Sequence, residues 1–444
     1  MLDMLMHMQK VDQVKVSNTY LHFILFFYSF ILVMSQWLYL YAVGKGALEI
    51  KIISSLFLWS IMITLIPPFV LQGGKIKIEK TELQNKIHHF TLLYATSLLV
   101  TVLLAFSNPQ GWAGALEGLK ALFAVLAGVR IMNLAIGHKL NLLLVVAPIY
   151  FLSLTFGVIQ IYEKVGFFTG NSFFTEGAVG RWWDLHAIWG TMGLYGKNIY
   201  GLALSLCLAI VIPLRNTIKT NWLRVITKYV SIPLSIICIY RSESRTALVC
   251  VILIVLMETV YLSRENNSVS GILFLTFCGT SLLTWLMVSR GSGNWLFSSN
   301  SLAARSIERY AVASAKWSDW LFGSGFNGIF RLTNNSFGAT VRSGNASLGV
   351  NVDNAYLRTI LEGGVFGLVS LMALLVVLFQ CSRSQIPRIN YLVNSDVMRS
   401  LRYLTLTFCL CALTIDLLSF QTSIAILFFF IGLVVSQIYE NSKP

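Results

Sequence analysis

Long apolar runs constrain this chain more than any other feature. Stretches such as "LVSLMALLVVLF" (368–379) and "AILFFFIGLVV" (425–435) recur along all 444 residues. A run of about 18 or more apolar residues is the length at which a helix crosses the hydrocarbon core of a bilayer. Only 12% of residues are charged and 56% are hydrophobic, with a mean hydropathy of +0.71, so the chain is unlike an ordinary soluble domain. The expected fold class is therefore an all-α polytopic membrane protein.

About twelve spans are expected, near 20–43, 52–72, 88–106, 116–136, 140–161, 198–214, 228–241, 246–262, 270–289, 356–381, 401–418 and 422–439. They form one integral membrane domain over residues 1–444. Basic links set its direction: "GKIKIEKTELQNK" (74–86), "RNTIKTNWLRVITK" (215–228) and "SRSQIPR" (382–388) all fall on one side when spans are counted. The positive-inside bias puts that side, and both termini, in the cytoplasm. The first apolar run is too long for a signal h-region and lacks a small-residue cleavage site, so it reads as a retained helix behind a cytoplasmic tail.

The net charge of +14 comes without a basic arm or nucleic-acid motif, and most Lys and Arg sit in these links; nucleic acid is not an expected partner. The seven cysteines lie in or beside apolar runs without CxxC spacing and read as buried free thiols. No tandem repeat or second copy of the first half is visible, which argues against a repeat-built transporter.

Two segments on the opposite side are long, 162–197 and 290–355. Loops of this length usually carry function or structure of their own. The first contains Arg181, Trp182, Trp183, Asp184 and His186; its indoles suit an interfacial belt and also a sugar-binding face. His186 has no second histidine or cysteine near it in sequence, so no metal site is expected. The second holds an expected amphipathic helix from Ala303 to Trp317, with Arg305 and Arg309 one turn apart. It ends in "FGSGFNG", where Gly323, Gly325 and Gly328 permit a tight turn and close backbone approach to a ligand.

Charged residues at membrane depth persist where they pair or meet a polar ligand. In "YRSESRTALV", Arg241, Glu243 and Arg245 interrupt two apolar runs. A local pair with Glu243 would close this hairpin. Arg245, however, opens the next helix, where a cation opposes the dipole and a phosphate would suit it. In "NVDNAYLRTILEGGVFGL" (351–368), Asp353 or Asn354 can cap the helix that starts near Ala355. Arg358 and Glu362 are spaced to pair at i,i+4, and Gly363, Gly364 and Gly367 offer a flat face for close helix packing. Capping, pairing and packing account for each residue separately, but not for their meeting with two arginine pairs and a glycine turn on one face.

The order of these pieces resembles the O-antigen polymerase (Wzy)/O-antigen ligase superfamily of bacterial surface-polysaccharide assembly. The matching segments are "SESRTALV" (242–249), "RSIERYAVASAKWSDWLFGSGFNGIF" (305–330) and "DNAYLRTILEGGVFGL" (353–368). The short motifs cover the second half of the chain, whereas the span count and the large late loop agree over nearly all of it. The resemblance implies a GT-C-like, metal-independent glycosyltransferase of the inner membrane without cofactor. It would act at the periplasmic face on undecaprenyl-diphosphate-linked oligosaccharide, beside membrane lipids and a chain-length regulator protein. By position, Arg245 matches the arginine that opens the family's helix, and Arg305, eighteen residues before Gly323, matches the loop arginine. Where the ligase branch carries histidine, this chain has Asp353, which favours the polymerase branch.

The implied mechanism makes Asp353, Arg245 and Arg305 catalytic. Arg241, Arg309, Asn354, Arg181, Trp182, Trp183, His186, Gly323 and Gly325 are then expected to bind diphosphate or glycan. Two alternatives stand beside repeat-unit polymerisation. A ligase would move finished glycan to lipid A–core, and its loss would leave polymer on the lipid carrier. A flippase or transporter would need a charged central cavity, whereas acidic residues inside spans are few, Glu258 and Asp416 among them.

Overall fold

A computed structural model of the chain describes residues 18–44, 81–107, 111–136, 138–163, 196–242, 244–265, 315–326, 354–383, 392–413 and 421–438. The elements are α1 (Asn18–Gly44), α2 (Glu82–Ala105), α3 (Gly111–Ala135), α4 (Leu142–Glu163) and α5 (Gly196–Leu214). There follow α6 (Asn221–Ile226), a π-helical turn (Thr227–Ser231), α7 (Ile232–Arg241), α8 (Arg245–Glu265), α9 (Trp317–Phe322), α10 (Ala355–Arg383), α11 (Leu392–Ala412) and α12 (Gln421–Ser436). No strand occurs among the described residues. The fold is a helical membrane protein.

Five helices are long and apolar enough to cross a membrane, over Glu82–Ala105, Tyr200–Thr217, Asn221–Arg241, Arg245–Ser263 and Ala355–Ser382. Shorter apolar helices cover Leu21–Val33, Leu142–Val158 and Ile424–Ser436. Ten of the expected spans coincide with helices, and those near 52–72 and 270–289 lie outside the described residues. One boundary differs widely: α11 begins at Leu392, nine residues before the expected 401. Its first turns carry Asp396, Arg399 and Arg402, which lower the local hydropathy but are matched inside the protein.

The centre of the bundle is α5, which packs against α4, α7, α8, α11 and α12. Burial covers 89% of its apolar window, against 28% for Asn221–Arg241, so α5 is wrapped by protein while the α6–α7 rod faces outward. Helices α3 and α12 cross closely where two glycines meet: a Cβ on Gly128 would stand 2.6 Å from the Phe428 carbonyl oxygen. Small residues at such a crossing let backbones approach, the usual basis of helix association in lipid.

Side-chain bonds sort the helix termini into two ends. At one, Thr81 and Gln84 form a capping box on α2, with hydrogen bonds of 2.9 and 3.2 Å. The Gln84 amide also donates to the carbonyls of Val435 (3.1 Å) and Ile438 (2.9 Å), closing the end of α12. Arg402 donates to the Ser382 carbonyl at 2.7 Å, joining the start of α11 to the end of α10. Here Glu258 of α8 accepts from Arg215 at 2.9 Å, Arg399 at 3.2 Å and the Tyr403 hydroxyl at 3.0 Å. This is the basic end. At the other, the Tyr356 hydroxyl donates to the Cys409 carbonyl at 3.1 Å, and the free thiols of Cys250 and Cys411 share a hydrogen bond at 3.7 Å. The starts of α8 and α10 therefore flank the end of α11. This is the site end.

Candidate functional site

Three segments singled out in the sequence come to the site end: the Arg241–Arg245 turn, the glycine turn after α9, and the start of α10. Helix α7 stops at Arg241, and the Ser242 hydroxyl donates back to the Ile239 carbonyl at 2.7 Å. The Ser244 carbonyl then accepts the Leu248 N–H at 3.0 Å, the first bond of α8. Arg245 is the first residue of that helix and half-buried, while Arg241 is exposed on the other side of the turn. Glu243, the expected local partner, lies outside the described residues. A guanidinium at a helix start, beside N–H groups that lack intrahelical acceptors, is an arrangement that suits a phosphate oxygen.

Asn354 caps α10. Its side-chain oxygen accepts the Leu357 N–H at 3.0 Å, and its carbonyl accepts the Arg358 N–H at 2.9 Å. Asn is among the best N-cap residues because its short side chain reaches these donors without strain. One turn on, Arg358 and Glu362 form the expected i,i+4 ion pair at 3.1 Å, and both are buried.

The glycines behave differently from expectation. Gly364 has φ 67° and ψ −169°, outside the helical region, so α10 is two helices merged across a kink. Such a conformation is essentially restricted to glycine. The kink withdraws the partners that the Leu361 and Glu362 carbonyls would find one turn later. Those carbonyls accept instead from the loop: Ser324 donates to Leu361 through its N–H (2.9 Å) and its hydroxyl (2.8 Å), and the Gly325 N–H donates to Glu362 at 2.9 Å. The two backbones touch, since a Cβ on Gly364 would stand 2.5 Å from the Leu321 carbonyl and one on Gly323 would strike that of Glu362. Gly325 presses likewise on Leu104 and Ala105 at the end of α2, and the Phe326 N–H reaches the Thr101 carbonyl at 3.4 Å.

Gly323 and Gly325 were expected to let a ligand approach, and Gly364 to provide flat packing. In the structure, the close approach is taken by the protein's own backbone. The glycines clasp α9, α10 and α2 together and thereby place the start of α10.

The kink also separates the polar mouth from the apolar span. Val365–Arg383 rises about 28 Å, close to the hydrocarbon thickness of a bilayer. Arg358 and Glu362 belong to the short helix in front of it.

The expected helix over Ala303–Trp317 needs a correction at its end. Ala315 and Lys316 are not helical; Lys316 is extended, with its N–H donated to the Asp319 carboxylate at 2.9 Å, and α9 starts at Trp317. A carboxylate three residues on captures the N–H that would have continued an incoming helix. Asp353, Arg305, Arg309, Arg181, Trp182, Trp183 and His186 lie outside the described residues.

Sequence reasoning missed two contributors. Thr101 supplies an acceptor to the clasp through its backbone, which no side-chain pattern reveals. Glu258 was noted only as an acid within a span, yet it gathers two arginines and a tyrosine; the signal available was its place at the depth of the basic links. No protein-family model matches the chain, and no match is found among curated proteins.

Proposed function

We propose that this chain is an inner-membrane glycosyltransferase that joins undecaprenyl-diphosphate-linked oligosaccharide repeat units at the periplasmic face. In this reading the site end is periplasmic, the basic end and both termini are cytoplasmic, and the fold is of the GT-C type with about twelve spans. The observation that carries it is the cap of α10. Asn354 fills that role with its own side chain, and Asp353 stands next to it in the sequence, at the end where Arg245 opens α8.

The reaction is a single displacement. The hydroxyl of one glycan attacks the anomeric carbon of another, the bond from that carbon to the diphosphate oxygen breaks, and undecaprenyl diphosphate leaves with the electron pair. Asp353 orients the hydroxyl and takes its proton. Arg245 and Arg305, helped by Arg241 and Arg309, hold the diphosphate and stabilise its developing charge. Displacement in one step inverts the anomeric carbon. Gly323 and Gly325 act by position, through the clasp that sets the start of α10. Trp182 and Trp183, with Arg181 and His186, bind the glycan.

The test is a glycan ladder from a strain lacking the gene and complemented with variants. Arg245→Ala is expected to slow chain growth by roughly 10²–10³, and Asp353→Ala to leave single repeat units, with both proteins present in the membrane. Full-length polymer from both variants would remove the site assignment. Polymer stranded on the lipid carrier in the null strain would instead mean a ligase.

A further inference from the structure

We propose that the turn from Arg215 to Ser231, at the basic end, is a binding face for the headgroups of anionic phospholipids. No Asp or Glu occurs in the sequence between Asp184 and Glu243. Lys219 and Lys228 are exposed, and among the described residues no carboxylate lies at ion-pair distance from either of them or from Arg224. Arg215, by contrast, turns inward to Glu258 at 2.9 Å and is already matched. Arg224 is held in place, because its Nε and Nη2 both donate to the Ile218 carbonyl, at 3.0 and 2.6 Å. The Lys228 ammonium lies 5.0 Å from the centre of the Tyr229 ring.

Apolar side chains flank these cations without protein cover. Trp222, Val225, Ile226 and Tyr229 follow one another at i, i+3, i+4 and i+7, with exposures of 62%, 54%, 41% and 64%. Trp and Tyr beside Lys and Arg, at the end of an outward-facing span, match the chemistry of the headgroup layer: rings at the level of the glycerol, cations against phosphate. A neutral headgroup would cancel the phosphate charge locally. An anionic one leaves a net negative site opposite three cations that have no carboxylate, and each is worth about a fivefold preference. This inference concerns the basic end and stands apart from the glycosyl-transfer reading.

The test uses the full chain in lipid nanodiscs. Phosphatidylglycerol or phosphatidylcholine with brominated acyl chains is added at equal mole fraction to an unbrominated background. Subtracting the emission of Trp222→Phe from that of the wild type isolates the quenching of Trp222. Brominated phosphatidylglycerol is expected to be enriched at least about fivefold over brominated phosphatidylcholine near Trp222, less so at high salt. The enrichment should vanish in K219Q/R224Q/K228Q and persist in K219R/K228R. Equal quenching by the two lipids in the wild type overturns the proposal, as does enrichment that survives the triple substitution. Equal quenching together with a co-purifying protein that the triple substitution releases would make the face a protein dock. Should the triple variant fail to fold, the wild-type lipid comparison decides alone.

Discussion

The Glu258 cluster at the basic end and the Arg241–Arg245 turn at the site end treat charge in opposite ways. At the basic end, Glu258 is closed on Arg215, Arg399 and Tyr403, Arg399 also pairs with Asp396, and its guanidinium lies 4.0 Å from the centre of the Tyr261 ring. At the site end, Arg241 is exposed and Arg245 is half-buried at the opening of a helix. Charge enclosed by matching charge joins helices and offers a ligand nothing. Charge presented at a helix start can meet a substrate. The same residue type, arginine, is thus a staple in the Glu258 cluster and a candidate for chemistry in the Arg241–Arg245 turn.

The contrast can be broken at its strongest point first. Glu258→Gln leaves buried Arg215 without its carboxylate and Arg399 with Asp396 alone, and removal of one partner from a buried pair costs about 3–5 kcal/mol. Thermal unfolding in detergent, followed by a thiol dye that reports exposure of the buried Cys207 and Cys250, should show that loss; an unchanged midpoint would mean that the cluster is not a staple. Gly364→Ala tests the clasp. The strained backbone alone costs about 1–3 kcal/mol, and the Cβ must also displace the Leu321 carbonyl, so the dye should show destabilisation and chain growth should fall with it.

Asn354→Ala should cost about 1 kcal/mol through the lost cap, with Asn354→Ser recovering most of it. If the loss is absent, Asp353 has taken over the cap and its carboxylate needs no chemical role. Smallest of all, Arg241→Gln should move stability by no more than about 0.5 kcal/mol, because the side chain is exposed. Any effect it has on polymer length would then come from the substrate.

Much of this was legible in the residues. The ten matching helices follow from the length of the apolar runs. The Arg358–Glu362 pair follows from its i,i+4 spacing, and the six free cysteines among the described residues from their apolar surroundings. The site end is less legible. Three glycines in "FGSGFNG" and three near "EGGVFGL" read as two independent motifs, each explicable alone, yet Gly323, Gly325 and Gly364 are parts of one contact. The end of the loop helix was misplaced because amphipathic spacing continues through Ala315 and Lys316, where the Asp319 carboxylate has captured the backbone.

The sequence by itself determined that this chain is a bundle of membrane helices and where its basic links fall, because hydropathy and spacing act over a turn or two of the chain. Only the tertiary structure decided that Asn354 is the cap, that Gly364 divides the mouth from the span, and that Glu258 is surrounded by arginines. Those outcomes depend on which carbonyls and charges meet across tens or hundreds of residues. That choice is made when helices dock, since a backbone group freed by a kink takes whichever donor the neighbouring segment brings within reach.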